Sequence, residues 1–196
     1  MFRTQWRIRI KLLGRGAVTA FLLAGAVVHA AEAAAPREAA EPPARRDDRN
    51  EMMARFTINL TRFVTWPESA FADAQAPFVI ATYPLDPMFD RLVAAAKNET
   101  VEGRPIEIIR AQSVDDLLRS QLVFISRSYA ARPDVLRRLG CKPILTVSDY
   151  EQFIRLGGVV QFDLADKTIV PRVSIENLKA AGLEARAQLL RLATNE

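Results

Sequence analysis

The stretch Pro143 to Phe162, PILTVSDYEQFIRLGGVVQF, narrows the choice of fold more than any other part of the chain. Ile144-Leu145-Thr146-Val147 is a β-branched and apolar run of the length of a strand buried on both faces. Ser148-Asp149-Tyr150-Glu151 has the S-x-x-E form of a capping box, which predicts a helix from about Asp149 with Phe153 and Ile154 facing the core. Gly157-Gly158 then stops that helix, because glycine enters left-handed backbone conformations without a Cβ clash. Val159 to Phe162 reads as the next strand. Strand, short helix and strand in immediate succession point to an α/β sheet.

The rest of the chain agrees with that unit. Met52, Phe56, Leu60, Phe63 and Val64 recur at helical spacing, and Trp66-Pro67 ends the helix they imply. Residues 77–83 (PFVIATY) read as a strand. Asp86-Pro87 opens a helix to about Lys97 with Phe89, Leu92, Val93 and Ala96 as its buried stripe. Residues 105–110 and 122–125 are further strands, and Ser113 starts a short helix between them. A helix near Pro133 to Leu139 closes at Gly140. Thr168 to Val173 pairs back on Val159 to Phe162 as a hairpin, Ser174 caps a helix to Ala181, and Glu184 to Thr194 is read as a last helix. The fold class is therefore α/β: a mostly parallel sheet covered by helices on both faces, with a C-terminal antiparallel hairpin and terminal helices.

The N-terminus follows a different rule. Met1 to Gly16 carries five basic residues and no acid, and Ala17 to Val28 is an uncharged run of 12 residues, apolar but for Thr19. This is the pattern of a cleaved secretory signal peptide over 1–30, with an uncleaved anchor as the competing reading. Residues 31–50 hold seven Ala and three Pro but no Val, Ile, Leu or Phe, and read as a disordered tether before a single domain at 51–196. Removing 1–30 leaves 22 basic residues against 23 acidic, so the basic isoelectric point belongs to the export signal and does not argue for nucleic-acid binding. The expected location is the periplasm.

Little catalytic equipment survives that cleavage. The only histidine, His29, falls in the leader, which excludes a Ser-His-Asp triad, a Cys-His pair and a histidine metal ligand from the mature chain. Cys141 is the one cysteine and cannot form a bridge within the domain; it reads as a half-buried thiol at a strand start. Gly157-Gly158 lacks the spacing of a phosphate-binding loop. Arg127, Arg132, Arg137 and Arg138 form a basic patch read as a solvated face, with an anionic headgroup or acidic partner as the alternative. Asp163, Asp166 and Glu176 lack calcium-loop spacing. Trp66 beside Arg62 is either a core anchor or an interface anchor.

Several elements in order carry a family likeness. They are Phe63-Val64-Thr65-Trp66-Pro67, Asp86-Pro87, Val123-Phe124-Ile125, Pro143 to Asp149, Phe153, Gly157-Gly158, and Ala181-Gly182-Leu183 through Leu189-Leu190-Arg191-Leu192-Ala193. In this combination the chain resembles the YfiR-like family of periplasmic regulators over about Met53 to Ala193. The chain departs from the family in having Ser120 where members often carry a cysteine, and Pro171 and Ser174 where an aromatic and an Asn are common. The resemblance implies a non-enzymatic brake without a cofactor. Such a brake binds the periplasmic part of an inner-membrane diguanylate cyclase or other sensor protein until an outer-membrane lipoprotein sequesters it. A homodimer is a further expected partner, and a small-ligand sensor is the alternative function. Arg62, Trp66, Glu184 and Arg186, at the two ends of the domain, are the candidate partner- or ligand-binding residues.

Overall fold

The computed structural model of the chain describes residues 43–127, 129, 132–165 and 168–192. The expected signal peptide, residues 31–42 of the tether, Asp166 and the end of the last expected helix lie outside these.

The first helix, α1 (Pro43–Leu60), begins inside the segment read as tether and well before Met52. Its inward face departs from the expected stripe at Met52, while Leu60 is buried as expected. Met53, Ala54, Ile58 and Leu60 are buried while Met52 is exposed, and one residue on a helix is a rotation of about 100°. Phe56 still reaches the core, meeting Phe162 edge-on at 5.5 Å between ring centroids. The chain leaves helix at Leu60, so Val64–Thr65 is not helix but a short strand, β1.

β2 (Phe78–Thr82), α2 (Met88–Ala96), β3 (Thr100–Val101), β4 (Arg104–Arg110), α3 (Val114–Leu117), β5 (Leu122–Ile125), α4 (Pro133–Leu139) and β6 (Leu145–Ser148) follow. The buried stripe of α2 is Met88, Leu92 and Ala96; Val93 is exposed and Phe89 lies under the Arg110 guanidinium at 3.7 Å. α3 carries the reciprocal capping box of the molecule, between Ser113 and Asp116. β7 (Val160–Ala165), β8 (Thr168–Val173), α5 (Ile175–Ala180), β9 (Glu184–Ala185) and α6 (Ala187–Leu192) complete the chain. Ser174 caps α5 as expected, accepting from the Asn177 N–H at 3.2 Å.

Seven strands form one mixed sheet in the order β3-β4-β2-β5-β6-β7-β8. The pairs from β4 to β7 are parallel, and the two outermost pairs are antiparallel. Residues of β2 and β5 alternate between two apolar clusters, as the period of a strand requires. Phe78, Ile80, Leu122 and Phe124 join the α1, α2 and α5 side chains, while Ala81, Val123 and Ile125 join Val135, Leu136, Leu139 and Phe153.

The stretch on which the fold reading rests is built differently from its local pattern. Ser148 ends β6; its hydroxyl donates to the Ile125 carbonyl of the neighbouring strand at 2.5 Å and accepts from the Tyr150 N–H two residues on at 3.0 Å, a turn in place of the cap bond from Glu151. Only a 3-10 turn, Ile154–Leu156, forms before Gly157 takes φ 99°. Gly158 then lies against the Phe153 ring and donates to the Phe153 carbonyl at 2.9 Å.

In the final hairpin, the Ser174 N–H donates to Val159 O at 2.9 Å. With Phe162 opposite Pro171, this register turns the nitrogen of Pro171 away from β7 and toward the free margin of the sheet. A proline is tolerated there because no ladder bond is lost.

Candidate functional site

The two ends of the domain meet. β1 and β9 form a separate two-stranded antiparallel ribbon with Val64 opposite Ala185 and Thr65 opposite Glu184. Glu184-Ala185 is therefore strand where sequence periodicity suggested the start of a helix. Its partner strand lies at the far end of the sequence. The Arg186 N–H extends the ladder by donating to Phe63 O at 2.8 Å.

Trp66 does not edge this surface. It is 5% exposed, stands edge-on to Phe78 at 4.8 Å, and its indole N–H donates to Gln121 O at 3.1 Å. The large apolar ring is sequestered and its one polar atom is satisfied, so it acts as the pin under β1. Gln121 braces the same corner, its side chain accepting from the Val79 N–H at 2.7 Å and donating to Ala70 O at 2.6 Å.

What the ribbon presents is charge. Arg62 pairs with Glu99 at 2.5 Å and Arg186 pairs with Glu102 at 2.5 Å, and the Arg186 Nε–H also donates to Thr65 Oγ1 at 3.3 Å. Glu184 is exposed beside them. Thus the structure sets Glu184 and Arg186 beside Thr65 on the ribbon, leaves Arg62 just before β1 in its own pair with Glu99, and buries Trp66 just after β1. Both ion pairs are solvent-exposed, a class worth about 0–1 kcal/mol each to the fold.

The two glutamates escaped the sequence reading. Val101 pairs with Arg104, which leaves Glu102-Gly103 as a two-residue hairpin loop with φ 51° and 80°. Positive φ at both positions is the type I′ geometry. A Glu-Gly loop between Thr100-Val101 and Arg104-Pro105 was the available signal, weaker than Asn-Gly because Glu enters the left-handed region less readily. Asn98, just after Ala96 and Lys97, also has positive φ, at 62°.

A second polar cluster stands at the carboxyl ends of the central strands. Asp86, 4% exposed, accepts from the Met88 N–H at 2.9 Å, from the Ser126 N–H at 3.1 Å and from the Ser126 hydroxyl. Burial pushes its carboxyl above the ordinary Asp value, and this outweighs the hydrogen bonds that pull it down. Asp149 is buried and holds Arg127 through the backbone N–H at 2.6 Å and Nε at 2.9 Å. In the basic patch read from sequence, Arg127, Arg132 and Arg138 are all ion-paired with neighbouring aspartates. Cys141 is an exposed free thiol after α4, not a half-buried one at a strand start. Among the described residues no group of three or more His, Cys, Asp or Glu is placed to hold a metal, and no helix is long and apolar enough to cross a membrane.

The model of the YfiR/HmsC-like family matches residues 50–194, from the middle of α1 through the final helix. The chain belongs to the YfiR/HmsC-like family. The match takes in both strands of the β1–β9 ribbon and both hairpin glutamates that face it. No curated protein matches the chain.

Proposed function

We propose that this YfiR/HmsC-like chain is a periplasmic, non-enzymatic regulator of cyclic di-GMP signalling. It binds the periplasmic part of an inner-membrane diguanylate cyclase and holds that enzyme down, and the surface it uses is the β1–β9 ribbon with Arg62, Glu184 and Arg186. Membership of the family supports the regulatory role. The observation that carries the placement is the ribbon itself: it gathers side chains from the two ends of the domain into exposed charge pairs that contribute little to stability. A partner can exchange those pairs for its own, and arginine at the centre of an interface commonly carries about 2 kcal/mol or more of binding, roughly thirtyfold in affinity. Trp66 takes the part of a support under the ribbon.

The test compares cells lacking the gene with cells carrying Arg186→Glu or Arg62→Glu. Both variants should stay folded and raise cellular cyclic di-GMP and biofilm nearly as far as the deletion, while Arg137→Glu on α4 leaves both unchanged. A deletion without effect on cyclic di-GMP would overturn the regulatory role. A response to the deletion but not to the folded ribbon variants would overturn only the placement.

A further inference from the structure

The sheet reverses its winding beside β2. From β2 the chain moves outward to β4, then crosses back to β5 on the other side of β2. The loops after β2 and β5 therefore diverge, and in open α/β sheets such a gap at the carboxyl ends of the strands is where ligands sit. Here it holds a cavity of about 480 Å³ lined by Arg46, Arg49, Asn50, Met53, Ser126 and Arg127, among others.

Its roof is the first half of α1, and that half breaks the pattern of the second. Arg46, Arg49, Asn50 and Met53 lie at i, i+3, i+4 and i+7, which places them on one stripe of the helix. Further along, the inward face is Met53, Thr57 and Leu60, all buried. A helix that only covered the sheet would continue apolar residues toward its start. Instead two arginines and an asparagine face the cavity. From the opposite wall comes Arg127, whose Nε and Nη2 are fixed on Asp149 at 2.9 and 3.1 Å. Its Nη1 makes no hydrogen bond among the described residues, so one donor edge of a pre-oriented guanidinium is left for another acceptor. Asp47, the acid of the roof, is turned to Arg91 at 2.9 Å, and Asp149 is committed to Arg127. Arg46 makes no ion pair among the described residues, so the roof offers its guanidinium to the cavity.

From this geometry we propose that the crevice between the start of α1 and the ends of β2, β5 and β6 binds a small anion through a phosphate or carboxylate group. Arg46 and Arg127 grip it from the two walls, and Arg49 and Asn50 line the site between them. Guanidinium groups suit this chemistry because their planar donor forks match carboxylate and phosphate oxygens. The site is independent of the β1–β9 surface, and a protein that loses it can still repress through the ribbon.

The test is isothermal titration of the purified protein with inorganic phosphate and, separately, with succinate, at neutral pH and low salt. At least one anion should bind at millimolar concentration or below. Arg46→Glu, on an exposed position where folding is not at stake, and Arg127→Gln should each weaken that binding at least about tenfold, which is the loss of roughly one charge-assisted contact. Arg137→Glu should not. Binding of phosphate alone, or of succinate alone, would fix which group the site takes. Absence of heat from both anions, or binding that survives Arg46→Glu unchanged, would overturn the proposal.

Discussion

Replacing Gly158 by alanine isolates how tightly the β6-to-β7 connection is packed. A Cβ built there would lie 2.1 Å from Phe153 Cδ1, 2.2 Å from Cε1 and 2.7 Å from Cγ. Nonbonded carbons rest at about 3.5–4.0 Å, so the ring or the strand must retreat by roughly 1.5 Å. Neither has room. Phe153 is fully buried, the Gly158 carbonyl accepts from Asn177 Nδ2 at 2.7 Å, and the next N–H, of Val159, donates to Thr146 Oγ1 at 3.0 Å. Overpacking of a closed core costs about 1–3 kcal/mol, and the immobility of both parties puts this case near the upper end. For a domain of this size that lowers the melting temperature by about 5–10 °C. Urea denaturation followed by circular dichroism measures the loss directly. Phe153→Leu, which narrows the side chain facing Gly158, should partly rescue Gly158→Ala, so that the double variant is more stable than the two single losses predict by about 1 kcal/mol. An unchanged midpoint in Gly158→Ala, or strict additivity in the double variant, would refute the packing argument.

Trp66→Ala should cost about 3–5 kcal/mol of stability, because it empties a filled site beside Phe78 and removes one of the two donors to the Gln121 carbonyl, leaving only the Leu145 N–H at 2.9 Å; a calorimetric scan with no loss would show that the ring is not the pin described. Asp86→Asn should destabilise the protein by about 1–3 kcal/mol, since an amide cannot accept from both the Ser126 and Met88 N–H groups and the Ser126 hydroxyl. The pH dependence has a definite sign. A carboxyl whose folded pKa is raised binds more protons folded than unfolded, so wild-type stability attributable to Asp86 is greatest below about pH 4 and declines as pH rises from there through the folded value. Denaturant midpoints measured from pH 3 to 7 should therefore show the advantage of wild type over Asp86→Asn shrinking upward, and a widening gap would contradict the burial argument.

Which parts of this molecule are legible in its sequence depends on how far away each decision is made. Leu122 to Ile125 and Leu145 to Val147 read as strands because they are buried on both faces, a condition that leaves a continuous apolar run. Ser113 and Ser174 read correctly as helix starts because the N–H groups they serve are three residues on. Ser148 carries the same signal, yet it ends a strand paired with Ile125 and its oxygen accepts from Tyr150 two residues on and not from Glu151, an outcome of a neighbouring strand that no local window contains. Glu184-Ala185 was lost for the same reason, its ladder partner being Val64-Thr65. In the candidate site, Arg62 and Arg186 were legible as polar residues where the chain changes direction. Trp66 was ambiguous between anchor and interface, and burial decides it. Glu99 and Glu102 reach the site only through the Glu102-Gly103 turn, whose left-handed backbone is an outcome of the hairpin and not of its residues' preferences.

Pro171 gives the sheet an asymmetric life among other chains. An uncovered edge strand is a template on which a second polypeptide can lay down hydrogen bonds and propagate. Along β8 the groups facing outward alternate through Ile169, Pro171 and Val173, and the middle one has no proton to offer. A strand arriving there meets a gap at the centre of its would-be ladder. Wherever the sheet meets other unfolded chains, this margin is proofed against runaway growth by one ring closure.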